Sequence, residues 1–315
     1  MYGINQNFEY TTTICGVIFG VDESILNVKL PNDYMFKRMS LIPQKNNLDS
    51  LFETDAMGLR RSYESAKIND DLDVICIHKI FTIRLTQIEA EEYYSKMSYE
   101  AIVETDRLIR AIRLFFECNL FYKQLSVQMK SKEYLINGTS YSSNFGLIFP
   151  VGEALGTKVK SIFSYSKIDI EILNAWLLSF QFPESELLMN CIGLYDLSYH
   201  QEDFVSLTLL IACLEMLFLD SESYKKEKLA KRCAVLLFEE KTRRLECFNR
   251  LREIYKNRSD FVHDGKFEGI KGDDVLFLRK CIRSAIIEFL NESYSKKNVL
   301  CKLKILLHNL DYWSI

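Results

Sequence analysis

The spacing of apolar residues changes character along this chain of 315 residues, and that change limits the architectures open to it. Two early stretches, Phe8 to Phe19 and Val74 to Leu85, alternate with period two and are rich in β-branched and aromatic residues. They read as strands. Near residue 100 the period shifts: Ile102, Leu108, Ile109, Ile112, Phe115, Phe116 and Leu120 recur at helical spacing with charges between them. This predicts a helix that packs on the sheet. The glycines gathered between Gly138 and Gly156 around Pro150 mark a loop-rich passage and a domain edge. Beyond about residue 166 the strand signal fades, and helices are expected over 168–181, 185–199, 203–219, 223–238, 240–263, 273–293 and 296–310. Pro183 separates the first two, Asp220-Ser221-Glu222 caps the fourth, and Asp264-Gly265 stops the fifth. The expected fold class is therefore an α+β domain over residues 1–165 followed by an all-α helical bundle over residues 166–315.

Composition narrows the class without choosing a function. With 48% hydrophobic and 26% charged residues, 12 Gly and 4 Pro, collagenous and broadly disordered chains are excluded. The longest nearly uncharged apolar run, Leu207 to Leu219, is interrupted by Glu215 and falls short of the roughly 20 residues a bilayer span needs. Met1 to Tyr10 carries no Lys or Arg and leads into an alternating pattern, so no signal peptide is read, and a cytoplasmic protein without membrane contact is expected. The nine cysteines are scattered and never form C-x-x-C, so they read as buried core thiols, with neither a metal site nor a cofactor expected.

The formal net charge of −3 conceals an asymmetry. Residues 221–315 hold 21 Lys and Arg against 14 Asp and Glu, a net of +7, which leaves −10 for residues 1–220. Either the basic helices fold back on the acidic portion, or they present a surface to a polyanion.

The chemistry-bearing constellation lies in the fifth helix of the basic part. Its apolar stripe runs Leu245, Phe248, Leu251, Ile254 or Tyr255, then Phe261 and Val262, which places Arg258 on the core-facing side. An unpaired buried guanidinium is costly, so Arg258 must meet a carboxylate or line a cleft that receives an anion. His263 follows in the last turn, and an imidazole is the usual side chain for general acid-base catalysis near neutral pH. Arginine and histidine form a minimal set for RNA cleavage without metal, the imidazole moving a proton and the guanidinium holding phosphate oxygens. Five residues of separation put the two side chains about 140° apart on an ideal helix. Either the helix ends or tightens between them, or the site is completed across a dimer.

Three segments in order, A-x-L-E-x-L-F at Ala212 to Phe218, A-K-R-C-A-x-L-L at Ala230 to Leu237, and Y-x-x-R-S-x-x-V-H-x-G at Tyr255 to Gly265, resemble the HEPN superfamily and within it the Apea-like group. The resemblance covers about residues 185–293. It implies a helical bundle that commonly dimerises and often acts as a metal-independent endoribonuclease in bacterial anti-phage defence, abortive infection or toxin systems. Arg258 and His263 match the family's R-x4-6-H catalytic pair, with Asn257, Ser259 and Asp260 as supporting polar residues. Glu215 and Arg232 occupy positions typical of the group and are read as a pair stitching two helices. Lys241, Arg243, Arg244 and Lys256 are the candidates for RNA phosphate contacts. The expected partners are an RNA substrate, a second copy of the chain and a phage-derived trigger or regulatory partner, the N-terminal domain sensing the trigger or holding substrate. The alternative is a HEPN module without catalysis that serves dimerisation or RNA binding. Nucleotidyl transfer by the N-terminal domain finds no phosphate-binding glycine loop to support it.

Overall fold

The computed structural model describes residues 7–40, 73–136, 139–150, 163–219, 224–266, 269–291 and 296–309. The expected cap at Asp220-Ser221-Glu222 lies outside them. The described chain divides into two compact units that part between Phe180 and Gln181, later than the expected 165/166 edge.

In the first unit, the two period-two segments form the strands β1 (Phe8–Phe19) and β3 (Asp73–Leu85), paired antiparallel from Phe8 opposite Leu85 to Val17 opposite Cys76. Added to these are β2 (Met35–Ser40), β4 (Phe121–Tyr122), β5 (Gln124–Ser131), β6 (Tyr134–Ile136), β7 (Thr139–Tyr141) and β8 (Asn144–Pro150). The sheet order is β2-β3-β1-β5-β8, with β4 on the end of β1 and β6-β7 as a separate hairpin. The stretch expected to be loop-rich thus contains an edge strand, β8, which pairs with β5 along its whole length. Its glycine Gly146 sits within the strand and hides the alternation.

Helix α1 (Gln87–Phe115) starts at a capping box in which the Thr86 hydroxyl accepts from the Glu89 amide and the Glu89 carboxylate accepts from the Thr86 amide. Its buried side, including Ala90, Tyr94, Met97, Ala101, Leu108, Ile109 and Ile112, recurs at three- and four-residue spacing and faces the sheet as expected. The Tyr94 hydroxyl donates to the Val127 carbonyl of β5 at 2.8 Å, and its ring stacks on Phe145 of β8. On β3, His78 is buried; burial and then the nearby Lys37 lower its pKa, keeping the imidazole neutral.

Helix α2 (Lys167–Ser179), expected to open the helical domain, belongs to this first unit. The reason is local bonding: Asn174 accepts from the Lys29 amide at 2.7 Å and donates to the Asn27 carbonyl at 3.1 Å, while Trp176 packs on Phe115. The chain enters α2 after Phe163, whose amide donates to the Gly20 carbonyl at 2.8 Å.

The second unit is helical: α3 (Glu186–Leu197), α4 (Asp203–Phe218), α5 (Lys225–Leu237), α6 (Lys241–Asp264), α7 (Gly272–Asn291) and α8 (Lys296–Asn309). These follow the expected segments within a few residues at each end. Its core is built around α4, whose Leu207, Leu210, Ile211, Leu214, Leu217 and Phe218 are fully buried. Arg279 of α7 is fully buried as well. Its Nε donates to the Ser198 hydroxyl at 3.1 Å, a terminal nitrogen donates to the Ser198 carbonyl, and the guanidinium lies 4.2 Å from the Tyr199 ring centre. Ser206 of α4 also donates to the Ser198 carbonyl, at 2.7 Å, so three elements meet on one backbone oxygen. No helix among the described residues is long and apolar enough to cross a membrane.

Gly20, which ends β1, has φ +72°, and a Cβ there would sit 2.1 Å from the Asn119 carbonyl oxygen. Gly20→Ala therefore combines a left-handed backbone cost of about 1–2 kcal/mol with a backbone clash. The expected loss is about 2 kcal/mol or more, read as a lower urea midpoint at unchanged slope; an unchanged midpoint would contradict the geometry.

Candidate functional site

Helix α6 contains neither Gly nor Pro over its length and ends where Gly265 turns left-handed at φ +67°. The amides of Gly265 and Lys266 close back on the carbonyls of Phe261 and Asp260. Its buried residues are Arg244, Cys247, Leu251 and Ile254, spaced by three and four. Leu245 and Val262, read from sequence as part of the apolar stripe, are exposed instead. Continuing the observed spacing from Ile254 by four and then three residues gives Arg258 and Phe261, and the Phe261 ring packs 5.3 Å from that of Phe204.

Arg258 is partly buried on this core-facing side, and its Nε is out of contact with solvent and without a hydrogen-bond partner. Among the described residues it has no ion-pair partner either. One turn earlier, the Tyr255 hydroxyl donates to the Glu215 carboxylate of α4 at 2.5 Å. Burial, then the hydrogen bond and negative charge of Glu215, push the Tyr255 phenol up to about 12, against a smaller opposing effect of Arg258. Glu215 is thus engaged by a neutral phenol. Arg232 donates to the Phe218 carbonyl at 2.5 Å, joining α5 to the C-terminal end of α4. The bonds described for Glu215 and Arg232 therefore stitch helices through Tyr255 and Phe218.

The supporting positions separate by role. Asn257 donates from its amide to the Gly269 carbonyl at 2.7 Å and holds the return loop against α6. A Cβ on Gly269 would come within 2.8 Å of the Asn257 side chain, so the contact requires the glycine. Ser259 and Asp260 are partly buried, and the Asp260 carbonyl belongs to the helix end.

His263 is exposed in the last turn of α6, with no partner among the described residues. The α-helix runs unbroken from Arg258 through His263 to Asp264, so the helix neither ends nor tightens between them. Their side chains diverge by about 140° around a continuous helix. A break or tightening of the helix, one of the two ways sequence left for bringing them together, is therefore not observed.

The RNA-contact candidates are spread along α6. Lys241, Arg243 and Lys256 are exposed, Arg243 pairing with Glu240 at 3.3 Å. Arg244 is a correction: expected among surface phosphate contacts, it is about nine-tenths buried, because it lies one turn before Cys247 on the core-facing stripe. Arg243 and Arg258 lie about 22 Å apart along the helix axis at about 1.5 Å per residue. Lys256 alone among the candidates shares the His263 end.

The engagement of Tyr255 with Glu215 and of Asn257 with Gly269 was missed from sequence. Both run across long separations and connect ordinary surface residue types. Comparison of the chain with protein-family models, with curated proteins and with solved structures yields no match.

Tyr255→Phe removes a hydrogen bond to a charged acceptor at a half-buried position and is expected to cost about 1–2 kcal/mol at pH 8. The phenol's pKa is raised on folding, so its contribution is complete below its ordinary value of 10.0 and disappears as pH climbs through about 12. Urea denaturation of both chains from pH 8 to 12 should show their stabilities converging at the alkaline end. A difference that stayed constant or widened there would contradict the assigned bond.

Proposed function

We propose that this chain is a metal-independent endoribonuclease of HEPN type, active as a homodimer in which α6 of two copies meet to form one RNA-cleaving site. The observation that supports this most is the pairing of opposites at one helix end: among the described residues, a partly buried guanidinium has no counter-charge and an exposed imidazole has no partner. Structural arginines in this unit, Arg232 and Arg279, have protein oxygens bonded to them. Arg258 has an unspent capacity that a phosphate diester can fill.

In the proposed reaction a His263 imidazole takes the proton of the RNA 2′-hydroxyl as the 2′-oxygen attacks the adjacent phosphorus. The P–O5′ bond breaks, and an imidazolium returns a proton to the departing 5′-oxygen. The products are a 2′,3′-cyclic phosphate and a 5′-hydroxyl, with no net change in protons or electrons. Arg258 holds the non-bridging oxygens as negative charge builds on them. The exposed Lys256 and Lys241, within a C-terminal portion of net charge +7, supply salt-dependent attraction to the backbone. The resemblance of the three motifs to Apea-like HEPN proteins supports a role in anti-phage defence or a toxin system, in the cytoplasm, with activity released by a trigger acting on the N-terminal unit.

Because His263 is exposed and Arg258 bonds to no described residue, substituting them should spare the fold. His263→Ala and Arg258→Ala are each expected to lower cleavage of single-stranded RNA in EDTA by about 100-fold or more. Arg258→Lys should recover little, since a single ammonium lacks the planar fork. Melting temperature and dimerisation should stay at wild-type values. Undiminished cleavage by His263→Ala would falsify the assignment; an intact dimer that binds RNA but cleaves none even as wild type would favour the non-catalytic module.

A further inference from the structure

The proposed ribonuclease site makes no use of the most unusual side-chain cluster in the helical unit. Cys233 of α5, Cys247 of α6 and Cys281 of α7 come from three different helices, and their sulfurs all lie within 4.8 Å of one another. All three residues are buried, with Cys233 fully enclosed. A thiol can fill a core position as a small hydrophobe, but that role does not require three sulfurs to converge.

The dimensions match a metal. At a metal–sulfur distance of about 2.3 Å, three sulfurs arranged in a plane around one ion stand about 4 Å apart. Slight inward movement from the observed separation is enough. Among the described residues no histidine or carboxylate joins the three sulfurs. A structural zinc ion takes four ligands and would need a fourth from the protein. Three thiolates without nitrogen or oxygen are instead the soft donor set that selects monovalent copper.

Charge supplies a second observation. Three thiolates around a monovalent cation carry excess negative charge in an apolar interior, which is tolerated only beside a cation. Arg244 is about nine-tenths buried one turn before Cys247 on the same face of α6, and its Nε has no hydrogen-bond partner. It is a buried guanidinium with no described counter-charge, three residues before Cys247 on the same helix.

We propose that Cys233, Cys247 and Cys281 form a three-coordinate site for Cu(I) that ties α5, α6 and α7 together. Occupancy stabilises the folded unit by mass action.

The test titrates the reduced full chain anaerobically with Cu(I), delivered as its acetonitrile complex and competed by bathocuproine disulfonate, with long equilibration so that the buried site can open. The expected result is one Cu(I) held per chain and a raised melting temperature. Cys301, the exposed cysteine on α8, gives the control: Cys301→Ser should still hold one ion, while Cys247→Ser and Cys281→Ser should each lose it. X-ray absorption on the loaded wild-type chain should show a first shell of three sulfurs at about 2.3 Å, a readout that survives if either variant fails to fold. Retention of no copper, undiminished retention by both variants, or a shell containing nitrogen or oxygen would overturn the proposal. So would a preference for four-coordinate Zn(II) in a parallel titration.

Discussion

Taking a guanidinium out of water is costly unless oxygen meets it, and two buried arginines tie the helical unit together by meeting that condition. Arg279 meets it through Ser198 and the face of Tyr199, which binds α7 to the turn between α3 and α4. Arg232 meets it through the last carbonyl of α4, which fixes where α5 returns. Breaking such bonds costs several kcal/mol, since the charge stays behind without its partner. Arg258 lies on the same kind of core-facing stripe and bonds to no described oxygen.

The long helix α6 carries both kinds of residue. Its middle, Cys247 to Ile254, is locked into the bundle, and its last two turns hold Tyr255 against Glu215 and Asn257 against Gly269. These bonds fix the axis on which Arg258 and His263 are mounted. Rigid mounting matters for a catalytic pair, because misplacement of about 1 Å can cost two orders of magnitude in rate. The same rigidity keeps the pair apart within one chain: an unbroken helix cannot turn His263 toward Arg258. In the proposed ribonuclease, dimerisation is therefore a condition of catalysis, and a trigger that controls the pairing of two copies controls the activity.

Much of the fold was legible because its signals are local and repetitive. Period-two alternation placed β1 and β3, and helical spacing with Pro183 and Gly265 as punctuation placed α2 to α8. What escaped depends on partners distant in sequence. Strand β8 lacks alternation at Gly146 and is defined by pairing with β5. The unit boundary moved past α2 because Asn174 bonds to the backbone of residues 27 and 29. Along α6, the apolar stripe gave Arg258 its core-facing direction, yet the sequence reading also put Leu245 on the buried face and Arg244 on the surface, the reverse of what is seen. The shift came from reading Phe248 rather than Cys247 as the stripe. The converging thiols were illegible for a plainer reason: without C-x-x-C spacing, only the packing of three helices brings their sulfurs together.

The central claim, that Arg258 of one copy works with His263 of another, can be tested by complementation. Chains carrying Arg258→Ala and His263→Ala are each inactive alone under this account. Mixed under exchange, about half the dimers are heterodimers that keep one Arg258–His263 pair across the interface, so cleavage should return to as much as about half the wild-type level. Recovery of that order would establish that the two residues act across the interface. Two stable, exchanging chains that stay inactive together would contradict the composite site.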